Sequence, residues 1–182
     1  DATTPAMTHD ISHLRHYEDL SVGEVIALGR TTLTRDSITG FAREFDPFPF
    51  HLDEEAARRS LLGGLASSGW QTGALTLRML VDSFLSTIVS LGGLGFTDLK
   101  WRRPVFVGDT ITGTATIAAL RRSASRPQWG IVTLALDVRN HKGEQVMTMN
   151  LNNLVGVRLP EAGRPQASQP TDDAGAFGEA GK

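Results

Sequence analysis

The sequence predicts an α+β fold in which an antiparallel β-sheet wraps around one long central α-helix, and three observations lead there. Across 69–91, Leu77, Leu80, Val81, Phe84, Ile88 and Leu91 recur at the three-or-four spacing of a helix face, with Gly92 and Gly93 placed to stop it. Four β-leaning segments follow, at 95–101, 110–120, 129–139 and 145–157, in which Val132, Leu134, Leu136 and Val138 alternate against smaller or polar neighbours. A helix that apolar and strands with one apolar face cover each other when the sheet curls round the helix.

The remaining elements follow in chain order. Residues 1–16 are polar, hold His9, His13 and His16 without a strong period, and read as a mobile arm. His13 and His16 have no acidic or cysteine partner at ligand spacing nearby, so they read as solvated surface and no metal site is expected. Residues 17–23 form a turn, and 24–34 carry the β-leaning mixture of a first strand. Thr34 or Asp36 is placed to cap a short helix bearing Ile38, Phe41 and Ala42, which ends before an irregular, proline-containing loop at 46–50. Asp53 stands at the N-cap of a second short helix, with Glu54 and Glu55 at its positive end and Arg58 and Arg59 at the other, before Gly63 and Gly64. Gly108 and Asp109 suit a tight turn, and Asn140 to Gly143 a hairpin in which His141 is solvated and has no role. Residues 159–182 are rich in Pro, Gly, Ala, Ser and Asp and cannot bury enough surface to offset ordering entropy, which predicts a disordered tail.

Composition narrows the function. The 182 residues are 40% hydrophobic and 21% charged, as expected of one globular domain. The formal net charge is −2, so no basic field draws the chain to nucleic acid or an anionic membrane surface. Without cysteine there are no disulfides, thiolate nucleophiles or cysteine-ligated metals, and catalysis falls to oxygen and nitrogen groups. The first ten residues carry neither a basic start nor an apolar core of signal-peptide length, and polar residues interrupt 69–91, so a cytoplasmic location with no membrane span is expected.

The densest chemical signal is Phe45-Asp46-Pro47-Phe48-Pro49-Phe50-His51-Leu52-Asp53, an acid and an imidazole in a stretch stiffened by two prolines and walled by aromatic residues. A carboxylate and a histidine within reach of one water divide the protons of a hydration between them, without a metal or a thiol. On the residues alone, Asp46 bracing the turn and His51 bonding to backbone is at least as good an account.

The spacing D-x-x-P-x-H-x-D, here Asp46, Pro49, His51 and Asp53, resembles the hydratase motif of the MaoC-like, (R)-specific enoyl-CoA hydratase family. The likeness continues through Gly63-Gly64-Leu65-Ala66-Ser67-Ser68-Gly69, Arg103-Pro104-Val105 and Gly108-Asp109-Thr110, and spans about 17–158. Phe48 stands where many members have Asn, and Ser68 where many have His.

The resemblance implies a hot-dog fold, a homodimer or higher homo-oligomer, and a dyad of Asp46 and His51. It also implies that the backbone N–H of Gly69 binds the thioester oxygen, a role suited to a first-turn amide aided by the helix dipole, with glycine permitting close approach of substrate. Phe48, Phe50, Ser68 and Trp70 are candidate substrate contacts, although Trp70, like Met79 and Phe84, also reads as core packing. Arg102 and Arg103 are candidates for the phosphates of coenzyme A, or an exposed pair at a strand end.

The expected activity is a hydro-lyase that adds water reversibly to a 2-enoyl thioester to give the (R)-3-hydroxyacyl product. No cofactor is expected beyond coenzyme A as part of the substrate, with acyl carrier protein as the other carrier. Two alternatives stand beside it: a hot-dog thioesterase, for which the helix offers Asp82, and a non-catalytic acyl-thioester-binding subunit.

Overall fold

A computed structural model describes residues 13–158 of the chain; the expected arm at 1–12 and tail at 159–182 lie outside them. After a 3-10 turn at Tyr17–Asp19 come β1 (Val25–Thr32), α1 (Arg35–Phe45), α2 (Pro49–Leu52), α3 (Glu54–Arg59) and α4 (Gly69–Ser83). A second 3-10 turn, Leu85–Thr87, leads into β2 (Ser90–Trp101), β3 (Thr110–Arg122), β4 (Trp129–Asn140) and β5 (Gln145–Gly156). The strands form one antiparallel sheet in the order β1-β3-β4-β5-β2, the hot-dog arrangement around α4.

Register explains the core. Leu134 stands opposite Leu151, Leu136 opposite Met149 and Val138 opposite Met147, while Ile117 faces Leu134 from the other side. Period-two alternation therefore gathers these side chains on one face, where they join Met79, Leu80 and Phe84 of α4 in a single cluster. The hairpin at 140–143 forms as expected, with Gly143 at φ 78° and the Asn140 N–H donating to the Glu144 carbonyl.

Four expectations are corrected, the first three in the backbone. The central helix ends at Ser83, and Leu91, Gly92 and Gly93 lie in β2. Phe84 and Ile88 keep their buried positions, which is why the helical period persists, but the backbone at 87–89 is pinned elsewhere. The Arg15 N–H donates to the Thr87 carbonyl (2.9 Å), the Arg15 carbonyl accepts from Val89 (2.8 Å), and the Val89 carbonyl accepts from Gly156 (2.8 Å). By the same contacts residues 13–16 are not part of a free arm, and the Arg15 guanidinium pairs with Glu24 at 2.7 Å. Hydrogen bonding to Arg15 holds the Glu24 carboxyl below its ordinary value. Third, the stretch after Asp46 is not wholly irregular: Pro49 opens a single helical turn, its fixed φ suiting the first helical position.

The inward side of α4 is partly polar. Gln71, Thr72 and Thr76 are buried, and Thr76 returns its hydroxyl to the Thr72 carbonyl at 2.8 Å. The helix is also less enclosed than expected: Trp70, Ala74, Leu77 and Val81 form an exposed stripe at three- and four-residue steps. β2, an edge strand, has no buried residue along its length. No helix among the described residues is long and apolar enough to cross a membrane.

Candidate active site

Two helix ends and one short bridge build the site. Asp46 is the C-cap of α1, its N–H donating to Ala42, and α2 then turns the chain so that His51 is buried, 7% exposed. The tight reversal brings Asp46 Oδ2 to 3.6 Å from His51 Nε2.

The other imidazole nitrogen is fixed by backbone. Residues 65–67 run antiparallel to 105–107, with Ser67 N–H donating to Val105 (2.8 Å) and Val107 N–H to Leu65 (3.2 Å). In that pairing the C=O of the intervening Ala66 points away from the partner strand. It meets His51 Nδ1 at 2.8 Å. A carbonyl only accepts, so Nδ1 carries a proton, and Nε2 is the nitrogen turned toward Asp46, a bare lone pair whenever the imidazole is uncharged.

Asp46 is held from the start of α4. Ser68, the N-cap, accepts the Trp70 N–H at 3.2 Å and donates its own hydroxyl to Asp46 Oδ2 at 2.6 Å. The carboxylate is thereby tied to the positive end of the helix. Next door, buried Ser67 donates to Gln71 Oε1 (2.8 Å), whose amide donates to the Ser37 carbonyl (2.9 Å), locking α4 to α1. Gly69 and Gln71 lie in the first turn of α4, where the helix offers their N–H groups no acceptor.

These groups open on a cavity of about 430 Å³. It is lined by Asp46, His51, Ser68 and Gly69, by Phe50, Leu62 and Val105 on apolar walls, and by Trp70, Trp101, Arg102 and Arg103. Of the candidate residues, Phe48 falls outside this lining; it is 57% exposed and stacks on Phe50 with ring centres 5.3 Å apart. Phe45 is likewise exposed, so the expected aromatic walls of the motif reduce to Phe50. Asp53 does structural duty, capping α3 through Ala56 N–H. Arg103 is 3.9 Å from Glu144, whose carboxyl is held below its ordinary value first by the Asn140 side chain and further by the charge of Arg103. Arg102 has no carboxylate within 4.0 Å among the described residues, which leaves it the less committed cation. Asp109 is buried and accepts the Phe106 N–H, and His141 Nδ1 lies 3.3 Å from its Oδ1, a contact the sequence did not suggest.

Sequence reasoning missed Trp101. A Cβ on Gly69 would lie 2.5 Å from Trp101 Cε2, 2.6 Å from Nε1 and 2.8 Å from Cδ2. The glycine is required first by this indole, and only then by any ligand. A protein whose aromatic side chain fills the space of a missing Cβ betrays the pairing only in three dimensions, because 32 residues separate the two positions.

Residues 21–138 match the family described as MaoC like domain, and the chain belongs to that family. A solved MaoC-like dehydratase from Rhodospirillum rubrum is 42% identical, covers 80% of this chain and 99% of its own, and superposes with a TM-score of 0.71. The uncharacterized protein YdeM of Bacillus subtilis is 26% identical over 138 residues, 76% of this chain and 96% of that protein. An (R)-specific enoyl-CoA hydratase of Rhodospirillum rubrum is 28% identical over 120 residues, 63% of this chain and 77% of its own.

Gly69→Ala is expected to displace the Trp101 indole and to destabilise the fold by about 1–3 kcal/mol, the usual cost of overpacking. Chemical denaturation of Gly69→Ala, Trp101→Ala and the double variant checks this: the double variant should lose less than the sum of the singles. Strict additivity would mean that the two residues do not share the space.

Proposed function

We propose that this chain adds water reversibly to the double bond of a 2-enoyl thioester, giving the (R)-3-hydroxyacyl thioester. The observation that carries the reading is the pair of acceptors, Asp46 Oδ2 and His51 Nε2, 3.6 Å apart at one cavity beside the first turn of α4. Two acceptors facing each other call for a donor between them, and a water with two O–H groups supplies both. Membership of a family with hydratases in it, and the likeness to an (R)-specific enoyl-CoA hydratase, support the same reaction.

In the forward step the water oxygen bonds to the β-carbon while one of its protons passes to the dyad. The electron pair of the double bond moves toward the thioester oxygen, where the Gly69 N–H and the helix dipole meet the growing charge. A proton is then delivered to the α-carbon, so the net addition is one H and one OH. Both groups come from one side of the substrate, because both acceptors lie at one wall. Arg102, with Arg103 behind it, suits the phosphates of a coenzyme A carrier.

The thioesterase alternative loses its acid. Asp82 is 54% exposed, is paired with Arg78 at 2.8 Å, and does not line the cavity.

The activity test follows the conjugated-thioester absorbance of a short 2-enoyl-CoA and free thiol in parallel. The wild type should lose conjugation and release no thiol. Asp46→Asn and His51→Ala should each lose roughly 100-fold or more, as expected for general acid–base groups, while remaining folded. Thiol release with conjugation intact would favour the esterase, and acyl-CoA binding without turnover a non-catalytic subunit.

The stripe Trp70, Leu77 and Val81, continued by Phe96 of β2 at 6.3 Å from Trp70, supports pairing with a second copy along this face. Sedimentation of the wild type should give twice the chain mass or a higher multiple. Leu77→Glu should shift it toward the monomer, and a wild-type monomer at all concentrations would refute the pairing.

A further inference from the structure

Trp101 is the last residue of β2, and its side chain, 47% exposed, lies over Gly69 at the mouth of the cavity. Trp70 packs edge-on against it, ring centres 5.3 Å apart and planes at 78°. An indole nitrogen is a donor only. Trp101 is half-exposed and lines the cavity that holds the dyad, and no protein acceptor for its Nε1 is found among the described residues.

Position turns that spare donor into a functional one. Nε1 is 2.6 Å from the point where a Cβ of Gly69 would stand. A Cβ lies about 2.5 Å from its own backbone nitrogen, so Trp101 Nε1 is no more than about 5 Å from the Gly69 nitrogen. One carbonyl oxygen that accepts two hydrogen bonds of about 2.9 Å along lone pairs about 120° apart spans donors about 5 Å apart. A carbonyl oxygen has two lone pairs and accepts both.

We infer that the Trp101 indole N–H is the second donor to the thioester oxygen, completing with the Gly69 amide a two-donor site for the charge that develops during hydration. The inference rests on the proposed hydration for the meaning of that charge. Its binding geometry concerns any acyl thioester seated at Gly69. The indole brings the donor on an apolar plane, which excludes water from the same oxygen and strengthens both hydrogen bonds. It also accounts for the absence of a side chain at position 69: a Cβ there would push the second donor off the first.

The test uses Trp101→Phe, which removes the N–H and keeps an aromatic wall. In the hydratase assay kcat should fall about tenfold or more, in the direction of the ~10²–10³ that loss of one oxyanion donor costs elsewhere, while KM stays within about twofold and melting is unchanged. A kcat within twofold of wild type would overturn the inference. A second measurement does not depend on turnover or on the variant folding well. In ¹⁵N-labelled wild type, the Trp101 indole N–H resonance should move downfield when butyryl-CoA, a saturated and unreactive thioester, is added. The other two tryptophans serve as internal references. An unmoved Trp101 indole while the Gly69 amide shifts would also overturn it. If the wild type hydrates no enoyl thioester, the proposed function fails by itself, and the indole shift still decides whether Trp101 and Gly69 share a thioester oxygen.

Discussion

A backbone carbonyl never donates, and that elementary constraint sets the chemistry of the site. The Ala66 carbonyl accepts from Nδ1 of His51, so the imidazole turns its other nitrogen toward a carboxylate. Were Ala66 rotated by one residue of register, its carbonyl would face the partner strand and His51 would lose its orientation. The short antiparallel bridge between 65–67 and 105–107 is therefore as much a part of the site as the two side chains it serves.

The fold brings donors and acceptors to one cavity from two different elements. Acceptors come from the α1–α2 reversal, which a C-cap and a proline make tight. Donors come from the start of α4, where helix geometry leaves amides without partners. Ser68 joins the two elements, capping the helix with one lone pair and donating its proton to Asp46. This buried polar network is satisfied on the protein side and open toward the cavity, a division expected where a small polar molecule is to be held.

How much of this was legible in the sequence varies with the range of the interaction. β3, β4, β5 and the 140–143 hairpin follow from alternation and turn chemistry, both of which are local, and their bounds fall within a residue or two of those expected. The Asp53 cap and the run of α1 up to Phe45 were local signals as well. The end of α4 was not legible, because what stops the helix is pairing of 87–89 with Arg15 and Gly156, while Phe84 and Ile88 continue the helical period by packing into the same core. In the site, the motif named Asp46 and His51, but two aromatic residues adjacent in sequence misled: Phe45 and Phe48 are exposed, and Phe50 is joined in the lining by Trp101, brought in from the edge strand. Nothing local marks a glycine whose missing Cβ is occupied by a ring 32 residues away.

The central proposal is that one water, gripped by a carboxylate and an imidazole 3.6 Å apart, supplies both the hydroxyl and the hydrogen added to the substrate. Hydration of a 2-enoyl thioester in D₂O, with the relative configuration at the α- and β-carbons read by NMR, tests it most directly. The geometry predicts deuterium and hydroxyl on the same face of the former double bond. Addition to opposite faces would contradict it, since the carboxylate and imidazole that line the cavity, Asp46 and His51, stand 3.6 Å apart.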